Sequence, residues 1–332
     1  MSTIDSLTKN RQSESTLRAM VERAYGLAEV PLGHGWAVEL GNGWFNVAYR
    51  IRLRSARQVV VKIAPAPGVE VLTYERRAMA TELAALDLVR RHTSVPVPEV
   101  HFADHSGDLC GSSYFFMTYV DADNLELIKG SLAPELRASY QAKLGAANRE
   151  LNSLRGPGFG PLLAPDAQSW RGVFAGMVED VLADGERRRV DIGWDYDTVR
   201  KLVADESACL DAVTEPCLVE WDLWDGNVMV RDGEIVGIID HERAFYGDPL
   251  IEFGFIATQL EAFGDPGDFL RGYGKQSLSE GEAMRRRLYC IHLGLVLAIE
   301  PSYRCYPSPG PAQWGRRALT VAMGLLRRRP SG

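Results

Sequence analysis

Two aspartates and an asparagine stand in the segment 217–249, CLVEWDLWDGNVMVRDGEIVGIIDHERAFYGDP, in an order that suits phosphoryl transfer. Asp222 follows an apolar run, Asn227 comes five positions later, and Asp240 closes the apolar stretch from Val236 to Ile239. Phosphoryl transfer needs one carboxylate to orient a substrate hydroxyl, then an amide oxygen and a second carboxylate to hold magnesium against the phosphates. Between these residues RDGE predicts a tight turn, so that VMV and IVGII pair as a β-hairpin and bring Asn227 and Asp240 to one edge. Most carboxylates at strand ends are turn or cap residues, and a lone DxxxxN carries little weight. The weight here comes from Asp222, Asn227, Asp240 and Gly247-Asp248-Pro249 occurring together in this order.

Further groups lie upstream. Val59-Val60-Val61-Lys62-Ile63 places one lysine inside a buried strand pattern, a costly position for an ammonium unless an anion meets it. A nucleotide phosphate and a helix glutamate would serve, and a lysine snorkelling from a sheet edge is the alternative. In ELGNGWFNVAYRIRL, residues 39–53, Gly41 and Gly43 allow a tight turn whose backbone approaches phosphate oxygens, although Gly-Asn-Gly also marks ordinary hairpins. A helix is predicted from about Tyr74 to Arg91, with Met79, Leu83, Leu86 and Arg90 on one stripe. Glu82 and Glu75, seven positions apart, face nearly the same way from it.

These residues resemble the pattern of the aminoglycoside phosphotransferase and choline kinase-like family, small-molecule relatives of the protein kinases. That pattern is roughly HxDxxxxN, then an apolar strand ending in Asp, then GDP; this chain supplies ExDxxxxN and IIDHERAFYGDP. The resemblance implies an α+β, two-lobed protein kinase-like fold. A small β-rich nucleotide-binding lobe would occupy 1–117, and a larger, mostly helical lobe with the catalytic hairpins and substrate pocket 118–332. It implies that ATP or GTP donates a phosphoryl group to a small hydroxylated substrate. Asp222 would orient the hydroxyl and take its proton, while Asn227 and Asp240 hold Mg2+. Lys62 would hold the α- and β-phosphates, fixed by Glu82, chosen over Glu75 by its distance to Val95-Pro96-Val97-Pro98. Gly41 and Gly43 would lie near the phosphates, and Met117, Thr118, Tyr119 and Val120 would form the adenine-facing hinge.

One departure concerns Glu220, which stands where the family usually has a structural histidine tying the catalytic loop to neighbouring backbone. A glutamate could accept equivalent hydrogen bonds, but it adds negative charge near Asp222. An inactivating kinase for an antibiotic, aminoglycoside-like or nucleoside-like, fits the resemblance. A metabolic or biosynthetic kinase for a sugar, nucleoside or amino alcohol fits the same site, and Glu220 alone suggests a nucleotide-binding pseudoenzyme. The substrate pocket is expected from segments 170–200 and 250–305. Asp180, Asp184, Glu252, Glu261 and Glu300 are candidate contacts for an amine-bearing substrate, with solvated helix faces as the ordinary alternative. Trp170, Trp194 and Tyr303 are candidates for stacking on a ligand, or core.

Composition agrees with a packed enzyme. A chain of 332 residues, 46% hydrophobic, suits two lobes, and a formal charge of −7 argues against nucleic acid as a partner while suiting a cationic substrate. Five scattered cysteines without metal-like spacing, a polar start (MSTIDSLTKNRQSEST) and no apolar run of membrane-spanning length predict a cytoplasmic protein with reduced thiols. Residues 1–15 read as frayed, Thr16 to Leu27 as a helix, and 36–117 as a mixed sheet with one long helix. Helices follow at Leu132 to Leu154, Trp170 to Ala204 with a break at 185–193, and through much of 250–328, ending in Arg327, Arg328 and Arg329.

Overall fold

A computed structural model describes residues 6–327 apart from positions 42, 44 and 307. The chain divides into two compact units. The first comprises residues 1–71, 98–121 and 303–307, and the second 72–97, 122–302 and 308–332.

The first unit is a five-stranded sheet with one helix, α1 (Glu14–Tyr25). Its strands are β1 (Ala37–Glu39), β2 (Val47–Arg52), β3 (Gln58–Ile63), β4 (Val100–Asp104) and β5 (Tyr114–Thr118), in the order β1-β2-β3-β5-β4. Every pairing is antiparallel, so the expected mixed sheet is corrected: the long connection between β3 and β5 returns the chain in the opposite sense. Because side chains alternate along a strand, Val47, Tyr49, Ile51, Val59, Val61, Ile63, Tyr114 and Phe116 share one face. They close a core with Leu17, Met20 and Val21 of α1 and with Trp36. Each such side chain contributes about 1.5–3 kcal/mol when fully buried. The same alternation puts Ala48, Val60, Lys62, Phe115 and Met117 on the other face.

Residues 6–13 are not frayed. Thr8 is buried and its Oγ1 donates to the Phe45 carbonyl at 2.8 Å, Lys9 and Arg11 both reach Glu39, and the Gln12 amide donates to the Tyr49 hydroxyl at 3.1 Å. These side-chain anchors, spread over an aperiodic polar segment, leave no pattern that a sequence reading detects.

The second unit carries α2 (Ala78–His92), α3 (Leu125–Ile128), α4 (Pro134–Leu151), α5 (Trp170–Arg187), α6 (Tyr196–Glu206), α7 (Gly267–Tyr273), most of α8 (Glu280–Arg304) and α9 (Gly310–Arg327). Two small antiparallel sheets are set among them. One joins β6 (Asp123–Asn124), β9 (Val228–Arg231) and β10 (Glu234–Ile238); the other joins β7 (Gly160–Pro161), β8 (Cys217–Val219) and β11 (Phe245–Gly247). Helices α4 and α7 cross where Gly272 faces α4, and a β-carbon there would come within 1.8 Å of the Ala142 carbonyl oxygen. Arg327 lies 4.7 Å from the Trp194 ring centroid, so this cation stacks on an aromatic face rather than serving only the helix dipole; Arg328 and Arg329 fall outside the described residues. Among the described residues no helix is long and apolar enough to cross a membrane.

Candidate active site

The hairpin of β9 and β10 assembles as the Asp-Gly turn predicts. Asp232 (φ 53°) and Gly233 (φ 83°) are its two central residues, and positive φ at both is what a two-residue hairpin turn of this hand requires. Pairing runs from Arg231 opposite Glu234 to Val228 opposite Ile238, and the Ile239 amide then donates to the Asn227 carbonyl at 2.9 Å. Asn227 and the strand end that carries Asp240 are thereby adjacent. The Asn227 Nδ2 donates to the Asp222 carbonyl at 2.9 Å, which leaves its Oδ1 as the acceptor such an amide can offer elsewhere.

The loop from Asp222 to Asn227 is held from several sides. Asp225 accepts from Gln141 at 2.6 Å and Lys129 at 3.1 Å, and Asn124 Nδ2 donates to the Gly226 carbonyl at 2.6 Å. Glu252 does the most. Its carboxylate is buried and accepts the amides of Glu220 (3.0 Å), Trp221 (2.9 Å), Leu223 (3.0 Å) and Phe253 (2.9 Å). Burial pushes its pKa up to about 7, against the opposing pull of the amides. Glu252 is therefore corrected from a substrate contact to the clamp of the loop that carries Asp222.

Asp222 is half-buried, and desolvation pushes its carboxyl up to about 6. Arg243 opposes that shift, whereas Asp240 and Glu300 add to it. Arg243 also lies 3.7 Å from Glu300, with its guanidinium 5.2 Å from the Tyr74 ring centroid and 5.5 Å from that of Trp221. Burial and Arg243 together push His292, packed 4.9 Å from Trp221, down to about 3, so it is neutral there.

Around Asp240, carboxylate oxygens of Glu82, Asp240 and Glu242 all lie within 4.8 Å of one another; Glu82 and Glu242 are buried. Three carboxylates so close favour a cation among them, and an all-oxygen donor set with the Asn227 amide nearby fits a hard divalent ion such as Mg2+. The rival acid, Glu75, lies in the turn before α2 and accepts the Leu72 amide at 2.9 Å. We expect Glu82→Ala to weaken Mg-ATP affinity and Glu75→Ala to lower thermal stability without doing so; the reverse pattern in calorimetry and melting would exchange their roles.

The other expected residues are placed as follows. Lys62 is a buried residue on β3. Met117 is buried, Thr118 is exposed with its amide donating to the Glu99 carbonyl at 2.9 Å, and Tyr119 and Val120 are half-buried, Tyr119 under Arg50 at 5.5 Å. Gly41 and Gly43 are described although their neighbours Asn42 and Trp44 are not, and a β-carbon at Gly43 would make only ordinary contact with the Asn46 carbonyl oxygen at 3.5 Å. Of the acidic substrate candidates, Glu300 lies beside Arg243 and its charge acts on Asp222; Asp180 and Glu261 are exposed.

Three candidates are corrected to structural roles. Asp184 is buried and accepts the Thr73 amide at 2.7 Å and hydroxyl at 2.8 Å, as well as Arg187, so it ties the segment before α2 to α5. Trp170 is core: its Nε1 donates to the Tyr289 hydroxyl at 2.8 Å and its ring stacks on Phe245 at 5.9 Å. The motif glycine Gly247 makes room for it, since a β-carbon there would meet the Trp170 ring at 2.6 Å. Tyr303 is fully buried in the first unit, next to Arg304, whose guanidinium stacks 5.0 Å from the Phe45 ring centroid. Asp248 of the same motif accepts from Arg285 at 2.7 Å and Tyr289 at 2.6 Å and so fastens α8.

Sequence reasoning passed over Arg243, His241 and Glu242. All three lie in DHERAF directly after the apolar strand, where a run of charges beside Asp240 was an available signal.

The antiparallel five-stranded sheet and the helical unit bearing this hairpin define a protein kinase-like fold. The chain belongs to the phosphotransferase enzyme family, whose model matches residues 36–289. Among solved structures it is similar to aminoglycoside phosphotransferase APH(4)-Ia, with a TM-score of 0.65 at 18% identity over 94% of this chain and 99% of that one. A thermostable mutant of that enzyme in ternary complex with AMP-PNP and hygromycin B gives a TM-score of 0.65 at 18% identity, covering 93% and 98%. A provisionally assigned fructosamine-3-kinase from Thermobifida fusca gives 0.64 at 20% identity, covering 94% and 100%. In sequence, 134 residues are 26% identical to a subtelomeric hrmA-associated cluster protein of Aspergillus fumigatus, covering 40% of this chain and about a quarter, 26%, of that relative's length.

Proposed function

We propose that this chain transfers the γ-phosphoryl group of ATP or GTP to a hydroxyl of a small, antibiotic-like compound, with magnesium bound. The observation that supports this reading is the placement of Asp222, half-buried, with its backbone carbonyl held by Asn227 and its carboxylate under the opposed charges of Arg243 and Asp240. Asp222 accepts the hydroxyl proton and aims the oxygen; Arg243 keeps that carboxylate more acidic than burial alone would leave it. Asn227, Asp240 and the neighbouring Glu82 and Glu242 would hold the metal, which when bound supplies positive charge against the phosphates. Lys62, from its buried position on β3, would hold the α- and β-phosphates, and residues 117–120 would receive the base. Catalysis then consists of positioning and charge stabilisation.

The acidic Glu300 beside Asp222 supports an amine-bearing acceptor of the aminoglycoside kind. The T. fusca neighbour supports a second reading, a metabolic kinase acting on a sugar-derived hydroxyl. The buried histidine partner of Glu220, 2.6 Å away, speaks against the pseudoenzyme reading, because the departure is compensated in three dimensions.

Calorimetric titration with ATP, with and without magnesium, tests the metal assignment. Asp240→Ala is expected to remove the magnesium-dependent gain in affinity and Asn227→Ala to remove only part of it, since a charged ligand offsets phosphate charge and an amide does not. Equal losses, or none, would contradict the assignment.

A further inference from the structure

Glu220 stands two residues before Asp222, and His241 directly follows Asp240. Their side chains meet: Glu220 Oε2 and His241 Nδ1 lie 2.6 Å apart, and both residues are buried. The other ring nitrogen, Nε2, lies 3.0 Å from the Ile238 carbonyl oxygen, which can only accept, so this nitrogen carries a proton and the ring is fixed at both ends. Among the described residues the second oxygen of Glu220 has no hydrogen-bond partner, so the burial of this carboxylate depends on His241.

The backbone beside each partner is unusual. Trp221 (φ 57°) and Asp240 (φ 71°) both adopt left-handed conformations, although neither is glycine. Such positions persist only where the surroundings over-determine them. Glu220 immediately precedes the first and His241 immediately follows the second. The pair therefore pins both left-handed positions to each other, and with them the turns that aim Asp222 and Asp240.

We infer that Glu220 and His241 are positioning residues that set the spacing between the Asp222 and Asp240 carboxylates. The histidine that elsewhere precedes the catalytic aspartate is exchanged here for an acid, and the imidazole is supplied instead from the strand end across the site. The inference rests on the kinase reading above, and it makes the departure at position 220 an adaptation of this chain.

The test compares Glu220→His, His241→Glu, the double exchange and Glu220→Gln, by ADP formation from Mg-ATP and by thermal unfolding. Each single exchange places like groups together and is expected to lower kcat about tenfold or more with KM for Mg-ATP changed less than about threefold, while the double exchange recovers to within about threefold of wild type. Glu220→Gln, which keeps the shape and loses the charge, is expected to fall between. A folded double exchange no faster than the single ones, or Glu220→Gln within about twofold of wild type, overturns the inference. If the single exchanges do not fold, a folded double exchange more than about threefold slower than wild type, or Glu220→Gln within about twofold of it, overturns the inference. A wild-type chain that neither binds nor consumes Mg-ATP sinks the kinase reading and this inference with it; an active wild type with uncoupled substitutions sinks the inference alone.

Discussion

Asp222→Asn is expected to lower kcat by roughly 10²–10⁴-fold, the usual contribution of a positioned general base. Mg-ATP affinity should stay nearly unchanged, because Asp222 is assigned to the acceptor hydroxyl and not to the nucleotide. Asparagine keeps the size of the side chain but cannot take the proton. The pH profile separates this from simple mispositioning. Burial raises the Asp222 carboxyl to about 6, and only the ionised form accepts a proton, so wild-type turnover should fall as pH drops through about 6. Bound metal would pull this limb lower, since a nearby cation favours the ionised form. In Asp222→Asn the limb should vanish from whatever rate remains. Near-wild-type turnover, or an unchanged acid limb, would remove Asp222 from the chemistry.

The largest expected loss of stability is that of Glu252→Ala. Its carboxylate takes four backbone amides, three of them at Glu220, Trp221 and Leu223 in the catalytic loop. A buried donor left without a partner costs about 1–3 kcal/mol, so the substitution should destabilise the fold by on the order of 4 kcal/mol after partial relaxation. Turnover should fall beyond what the unfolded fraction explains, because the loop that aims Asp222 is released. Glu252→Gln keeps one acceptor oxygen and should lie between. Urea unfolding measures the first effect, and a change below about 1 kcal/mol would mean that the amides find other partners.

How legible each feature was depended on the range of its determinants. The β9–β10 hairpin could be read because an Asp-Gly turn and two short apolar strands specify it within a dozen residues, and Asn227 and Asp240 come with it. Lys62 could be placed because a single cation in an apolar run is conspicuous. Glu252 and Asp184 were misassigned for a physical reason: an isolated acid in a helical region gives no sign whether it faces solvent or accepts amides far away in sequence. The loop amides lie 29–32 residues from Glu252, and Thr73 lies 111 from Asp184. Trp170 was ambiguous for the same reason, since its neighbours Phe245, Gly247 and Tyr289 lie far along the chain. Glu220 was recognised as a departure, but its meaning required His241, 21 residues on, whose side chain a sequence cannot aim.

The central claim is transfer of a phosphoryl group to a small hydroxylated compound. Purified chain should be incubated with Mg-ATP or Mg-GTP and pooled aminoglycosides, nucleosides, sugars and amino alcohols, and the pools analysed by mass spectrometry. The account predicts that at least one compound gains the mass of a single phosphoryl group, in an amount matched by the nucleoside diphosphate formed, and that Asp222→Asn does not produce it. Nucleotide bound by the chain with no phosphorylated compound in any pool and no diphosphate released would contradict it.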